Sequence, residues 1–363
     1  MPFYAGLQDA PRRQVTRTID GIERLRARLD AEIPPRNLES TLLLATWNIR
    51  EFDSPRFGSR LTEAYYYLAE VINRFDLVAV QEVRRDLEAL RRLADILGWP
   101  WRYLVTDTTE GAAGNDERIA FLYDSRKVRF GGLAGELVLP PLSDGTPVAQ
   151  IARTPYIVGF RAGWTDFVLA AVHIRYGTDH ALDPARVAEI RQVARFLRLR
   201  AQEREAWSQN LVVLGDFNIF NRGDETMTAL TDEGWVVPPE LQTIPGTNVA
   251  RNKHYDQIAL RPRRQRFETT GRAGVFDPFE VAFRLEDETE YEAAMGEAYR
   301  TKRTGEPRTE TERRAYYRQW RTHQISDHLP MWIEIRIDYS KEYLSGRRAE
   351  AEAPELSAPT RSG

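Results

Sequence analysis

The sequence contains no cysteine, which excludes disulfide staples, thiol nucleophiles and thiolate metal sites. Carboxylate, amide and imidazole groups are left as the available metal ligands. Histidine is scarce too, with five in 363 residues, so few imidazoles are available for proton transfer. No apolar run approaches the ~20 residues of a membrane-spanning helix, and the opening MPFYAGLQDAPRRQVTRTID lacks the apolar stretch of a secretory leader. A soluble, cytoplasmic protein without a membrane span is expected. Net charge is small, at -3, so there is no global pull toward a polyanion. Local basic clusters exist: Arg84, Arg85, Arg91 and Arg92; Arg261, Arg263, Arg264 and Arg266; and, at helical spacing, Arg191, Arg195 and Arg198. Each taken alone reads as a solvated face.

Against these absences stand 42% hydrophobic and 29% charged residues, the balance of a chain with a sizeable core. The length suits one large domain or two ordinary ones. Residues 1–38 are polar and rich in Arg and Asp, with Ile22, Leu25 and Leu29 marking a short amphipathic helix before Pro34-Pro35. They read as an appended arm. From Thr41, short apolar β-type runs alternate with helical stretches, the mark of an α/β or mixed layered domain, here spanning 39–340. The spacing predicts one helix through Leu61, Tyr65, Leu68, Ile72 and Phe75 and another through Leu87, Leu90, Ala94 and Leu97. A third opens at Asp183-Pro184, an N-cap acid followed by proline, and runs through Val187, Ile190 and Phe196. Residues 285–323 read as an inserted polar helical segment. Residues 341–363, rich in Ala, Glu, Pro and Ser, read as a disordered tail.

Four apolar runs end in polar residues: LLLATWN in Asn48, LVAVQE in Glu82, FVLAAVH in His173, and LVVLGDFN in Asp216 and Asn218. Two later runs mirror them, with Asp256 opening YDQIAL and Asp327-His328 standing before LPMWIEIRI. An antiparallel or mixed sheet sets the C-terminal ends of some strands beside the N-terminal ends of others, gathering all six motifs along one edge. Carboxylates crowded in this way repel one another unless a cation neutralises them. A metal held by Glu82 and Asp327, with Asn48 nearby, would bind a phosphate oxygen, and Mg²⁺ suits few protein ligands plus waters. Asp256 or Asp216 beside a histidine would fix its tautomer and raise its pKa from about 6.5. Asp216 and Asn218, two apart on an extended strand, would point the same way, one accepting protons and one donating to an oxyanion. Singly, each motif has a bland alternative. GDFN makes turns, SDH caps helices, His173 ends a strand half-buried, Glu82 faces water, and Asn48 suits a turn. Their joint occurrence favours chemistry.

WNIREF, VQEVR, the run to His173, LGDFN, YDQI and ISDHLP, in this order over residues 41–338, resemble the endonuclease/exonuclease/phosphatase superfamily, most closely its deoxyribonuclease I-like branch. The resemblance implies an α/β (α+β) four-layer sandwich, with two packed mixed β-sheets flanked by helices. It also implies a metal-dependent phosphodiester hydrolase using Mg²⁺ or Mn²⁺, with Ca²⁺ a candidate second ion. Glu82 corresponds to the main metal ligand, and Asn48 and Asp327 help to hold the metal or its waters. Asp216 with Asn218 orients nucleophile and phosphate. His328 paired with Asp256 is the implied general base, and His173 with Glu117 of NDERIAFLY the pair that protonates the leaving oxygen. Arg153 of ARTPYIVGF stands where the branch has an arginine on the substrate phosphate, and Arg50 and Arg84 where it contacts the DNA backbone or minor groove.

DNA is therefore the expected partner, as the substrate of an endonuclease. Two departures weigh against groove binding of the deoxyribonuclease kind: Asn115 replaces an aromatic residue shortly before Glu117, and that enzyme's disulfides are absent. The same core serves lipid and small-molecule phosphoesters, as in sphingomyelinase-like enzymes and phosphatases. HYDQI in place of a WCDR signature argues against the inositol phosphatases. A catalytically inactive binding module is a third class, and retention of Glu82, Asp216 and His328 argues against it.

Overall fold

A computed structural model describes residues 1–54, 58–109, 116–141, 144–203, 210–261 and 267–352. Asn115, Arg263, Arg264, Arg266 and the tail beyond residue 352 lie outside the described residues. From the N-terminus the chain forms helix α1 (Arg12–Glu32), strand β1 (Thr41–Phe52), α2 (Thr62–Asn73), β2 (Leu77–Arg84) and α3 (Glu88–Leu97). Five strands follow: β3 (Trp101–Val105), β4 (Glu117–Asp124), β5 (Val128–Glu136), β6 (Tyr156–Ala162) and β7 (Thr165–His173). Then come α4 (Pro184–Gln202), β8 (Leu211–Asp216), α5 (Glu225–Thr231), α6 (Pro239–Gln242), β9 (Asp256–Arg261) and β10 (Thr269–Val275). The short α7 (Glu292–Met295) and α8 (Glu297–Arg300) lead to α9 (Glu310–Gln324), β11 (Met331–Arg336) and α10 (Ser340–Glu352).

The strands make two mixed sheets, ordered β10-β11-β1-β2-β4-β3 and β5-β6-β7-β8-β9. In the first, β1 runs parallel to β2 and antiparallel to β11. In the second, β7 and β8 are parallel and β9 returns antiparallel. Residues 42–49 of β1 are buried on both faces, which is why that strand reads as one unbroken apolar run. The sheets pack face to face, and rings cross the seam: Phe121 of β4 lies 5.6 Å from Tyr156 and 5.5 Å from Phe160 of β6. Helices cover the outer faces. The fold is the sandwich of two mixed sheets flanked by helices that the resemblance implied.

The three helices expected from spacing are present as α2, α3 and α4, and Asp183 caps α4 by accepting from the Ala185 and Arg186 N–H groups. Residues 1–38 pack closely on the domain. α1 buries Ile22, Leu25 and Leu29 in the common core, and Arg17 binds Glu63 of α2 at 2.6 Å. Residues 285–323 hold few aliphatics, and aromatic rings do much of the packing: Tyr291, Tyr317 and Trp320 are fully buried, and Phe283, just before the segment, meets Tyr291 at 4.6 Å. The arm and this segment also touch each other, through Arg17 to the Glu290 carbonyl, and Arg24 donates to the Val281 carbonyl just before the segment. Residues 341–352, expected to lack structure, are helical. Their Ala, Glu and Arg content favours helix even though α10 buries no residue.

At the end of the first sheet away from the six motifs lies a buried ionic cluster. Asp76, fully buried, accepts from Arg36 Nε at 2.8 Å, Lys127 Nζ at 2.5 Å and the Leu43 N–H at 2.8 Å. Burial pulls the Lys127 ammonium below its ordinary pKa, against the opposing pull of Asp76. Removing the carboxylate strands a buried cation and a strand N–H, so Asp76→Ala should lower the unfolding free energy by about 3–5 kcal/mol in urea titration. A change under about 1 kcal/mol, the range of an exposed pair, would show that the cluster is solvated and not structural.

Candidate active site

The first sheet presents its polar groups through a distortion. β1 and β2 do not stop at Asn48 and Glu82, as expected, but run on to Phe52 and Arg84. Asn48 pairs with Gln81 and Phe52 with Val83, so Ile49, Arg50 and Glu51 are set against Glu82 alone. Glu51 and Glu82 both take positive φ, 40° and 62°. Such a bulge breaks the alternation of side chains and re-aims them. Glu82 is held in its new direction by the Glu51 N–H, which donates to Oε2 at 2.6 Å.

The second sheet presents its groups by register. His173, Asp216 and Asp256 are direct partners across β7, β8 and β9. Gly215 makes this possible: it has φ of 134°, and a Cβ there would sit 2.1 Å from the Val172 carbonyl oxygen. Only glycine lets β8 approach β7 so closely just before Asp216. The extended-strand expectation for Asp216 and Asn218 does not hold, because β8 ends at Asp216 and Asn218 is left-handed, with φ of 52°. Its N–H donates to Asp216 Oδ1 at 2.8 Å, and its side-chain amide donates to the Ile174 carbonyl at 2.8 Å. Asn218 thus braces Asp216, and that amide bond ties it to the segment after His173.

The two sets meet at one rim. Asn48 Nδ2 donates to Glu82 Oε1 at 2.9 Å and to Asp216 Oδ2 at 3.1 Å, joining the sheets. His173 places Nδ1 3.1 Å from Glu117 Oε2 and Nε2 3.5 Å from Asp216 Oδ2. His328 mirrors it, with Nδ1 2.8 Å from Asp256 Oδ2 and Nε2 3.8 Å from the same Asp216 oxygen. Burial disfavours the His328 imidazolium, yet the Asp256 and Asp216 carboxylates outweigh it and hold its pKa well above the ordinary 6.5. Burial raises the Glu82 carboxyl, with Glu117 and Asp327 adding to the push and His173 opposing it.

These groups suit a hard divalent cation. Glu82, Glu117 and His173 form one set of donors within 4.8 Å of one another, and Asp216, Asp256 and His328 form a second. Asn48 Oδ1 and Asp256 Oδ1 are buried without a hydrogen-bond partner. Buried acceptors left open in this way, beside a carboxylate raised by its neighbours, fit a cation and its waters.

The remaining expected residues stand around this centre. Asp327, whose side chain is 45% exposed, lies 3.4 Å from Arg50 Nε and reaches Glu82 through its field. Arg50 also donates to the Thr322 hydroxyl of α9. Arg84 is half-buried at the end of β2, beside the bulge. Arg153 donates from Nε to Glu117 Oε2 at 2.7 Å, the oxygen that faces His173.

Several participants were invisible in the sequence. Thr247, fully buried, accepts from the Asp256 N–H at 3.0 Å. Glu189 of α4 accepts from Ala152 N–H, Arg175 N–H and Arg175 Nε, tying the Arg153 loop to the segment after His173. The Tyr255 ring lies 5.3 Å from the His328 ring, and its one signal was adjacency to Asp256 in YDQI. Because Gly215 sets the spacing of His173 and Asp216, Gly215→Ala should leave a folded protein by circular dichroism with phosphoesterase activity down by about 10²-fold. Wild-type activity in that variant would show that the close approach is dispensable.

A family model described as the endonuclease/exonuclease/phosphatase family matches residues 45–328, while no curated protein sequence matches the chain. Among solved structures, D. rerio TDP2 complexed with single-strand DNA product is 14% identical with a TM-score of 0.52, covering 82% of this chain and 99% of that one. A functionally unknown conserved protein from Enterococcus faecalis V583 is 19% identical with a TM-score of 0.51, covering 81% and 99%. D. rerio TDP2 humanized by 14 mutations is 12% identical with a TM-score of 0.50, covering 81% and 98%. At these identities the likeness is one of fold. The matched segment runs from β1 to His328 and so takes in the bulge, both histidine–acid pairs and the acceptors open to a cation. The chain belongs to the endonuclease/exonuclease/phosphatase family of metal-dependent phosphoric ester hydrolases.

Proposed function

We propose that the protein is a Mg²⁺- or Mn²⁺-dependent phosphodiesterase acting on DNA as an endonuclease. The observation that carries this reading is the pair of imidazoles facing one carboxylate oxygen: His173 at 3.5 Å and His328 at 3.8 Å from Asp216 Oδ2, with Asp256 hydrogen-bonded behind His328 and Glu117 3.1 Å behind His173. Cleaving a diester in line needs a proton removed from water on one side of phosphorus and one delivered to the leaving oxygen on the other. Two oriented histidines supply both transfers.

His328 is the base. Asp256 holds Nδ1 and leaves Nε2 to take the proton of the attacking water, which Asp216 orients. His173, with Glu117 3.1 Å from its Nδ1, gives its proton to the departing oxygen. Asn218 supports the Asp216 carboxylate, and Arg153 holds Glu117 in place. Glu82 and Asn48, with Asp327 at the edge, would hold the cation, whose charge offsets that developing on the phosphoryl oxygens. Arg50 and Arg84 stand on the rim beside Asn48 and Glu82, where guanidinium groups suit flanking phosphates.

Supercoiled plasmid should be nicked in the presence of Mg²⁺ or Mn²⁺ and left intact in EDTA. Asp216→Ala and His328→Ala should each lose about 10²- to 10⁴-fold in rate, and Arg84→Ala less than either. Equal turnover in His328→Ala and Arg84→Ala would remove His328 from the chemistry. Absence of nicking, with hydrolysis of p-nitrophenyl phosphate retained, would move the substrate to small phosphoesters.

The base must be neutral to act, so the rate should rise as pH climbs through the raised His328 pKa, above 6.5. Asp256→Asn removes a principal cause of that shift and should move the inflection to lower pH as well as slow the reaction. A pH–rate profile with the inflection unmoved would assign the ionisation to another group.

A further inference from the structure

Immediately after His173 the chain makes a loop, residues 174–183, that is anchored out of proportion to what it buries. Tyr176 through His180 and Leu182 are exposed. The loop's backbone nevertheless converges on Arg186, which is fully buried. Arg186 donates from Nε to the Tyr176 carbonyl at 3.0 Å, from Nη2 to that of Thr178 at 2.8 Å, and from Nη1 to that of His180 at 3.3 Å. Asp183, also buried, accepts from the Thr178 N–H at 3.1 Å and its hydroxyl at 3.0 Å. Two buried charges fixing the backbone of a solvent-facing loop imply that something it displays must be held still.

What it displays is Tyr176, the exposed end of a chain of rings that begins at the general base and packs on the buried Phe220. The Tyr255 ring lies over His328 at 5.3 Å and 31°. Tyr176 meets Tyr255 edge-on at 6.4 Å and Phe220 at 5.9 Å. The Arg186 guanidinium supports the cluster, 4.7 Å from the Phe220 ring centre and 5.5 Å from that of Tyr176. Lys253 Nζ stands 4.0 Å from the Phe220 centre, adding positive charge at the border. Tyr176 keeps 39% of its surface open despite these contacts. A rigid, exposed ring two aromatic contacts away from the base suits a flat partner, since stacking needs a fixed π-face and little hydrogen bonding.

We propose that Tyr176 and Tyr255 form a stacking subsite for the nucleobase of the nucleotide whose phosphate is presented to His328. The assignment rests on the phosphodiesterase reading and extends it by naming the chemistry of the group beside the scissile phosphate. The subsite is indifferent to base identity, because every base offers a π-face.

Calorimetric titration with thymidine 5′-monophosphate and with 2-deoxyribose 5-phosphate, both in Mg²⁺, isolates the contribution of the base. Wild-type protein should bind the nucleotide about ten-fold or more tightly than the sugar phosphate, the effect expected of one stacked base. Tyr176→Phe should keep that ratio and Tyr176→Ala should bring it close to one. Equal affinities in the wild type, a result that no folding defect can produce, overturn the subsite, as does an unchanged ratio in Tyr176→Ala. Plasmid nicking is read separately. A protein that shows the nucleotide preference but cleaves no phosphodiester faults the catalytic reading and leaves the subsite standing. One that cleaves without the preference faults the subsite alone.

Discussion

Mutual repulsion among carboxylates is the constraint on which the rest of the site depends. Glu82, Glu117, Asp216 and Asp256 come together at one rim, each within contact distance of an imidazole or an amide. In a partly desolvated setting such a group of anions is stable only if every charge is answered. The answer is divided three ways. Asn48 spreads one neutral amide across two acids, each histidine faces an outer acid and the shared Asp216, and a divalent cation would take up the remainder. The same division brings both imidazoles to one oxygen of a single carboxylate, so the arrangement that relieves repulsion also sets the spacing of the two histidines.

No single sheet could supply this. Asn48, Glu82 and Glu117 come from the first sheet and His173, Asp216 and Asp256 from the second, so the distance between Asn48 and Asp216 is a distance between sheets. The aromatic contacts at the seam, Phe121 with Tyr156 and Phe160, therefore help to set the geometry at the rim although they touch none of its groups. Arg36, Asp76 and Lys127 do related work at the far end, locking β1 to β2 behind the bulge.

Much of this was legible in the linear chain for definite reasons. A strand buried on both faces produces an unbroken apolar run, so β1, β2, β7 and β8 announced themselves, and the polar residue closing each run marked the rim. The Asp183-Pro184 signature placed the start of α4 because capping is local. Where geometry depends on backbone irregularity, the pattern was silent. The bulge at Glu82 has no composition of its own, and the turn after Asp216 overrode the two-residue periodicity assumed for Asn218. Contacts made across long separations were equally hidden: Thr247 under Asp256, Glu189 behind Arg153, and α1 against the Val281–Tyr291 region. The aromatic core around Trp320 escaped notice because rings scattered among charges give no aliphatic period.

The pairing of β1 with β11, register Thr41 to Arg336, has a consequence for how the protein comes into being. A strand central to its sheet waits for a partner almost three hundred residues downstream, and closing so long a loop is among the slow events of folding. While the chain is being synthesised from its N-terminus, β1 and β2 can pair, yet one flank of β1 stays open until the last strand emerges. His328 arrives on the segment that leads into that strand. The second imidazole of the rim is thus delivered by the step that completes the sheet, and a chain still on the ribosome carries an unfinished site.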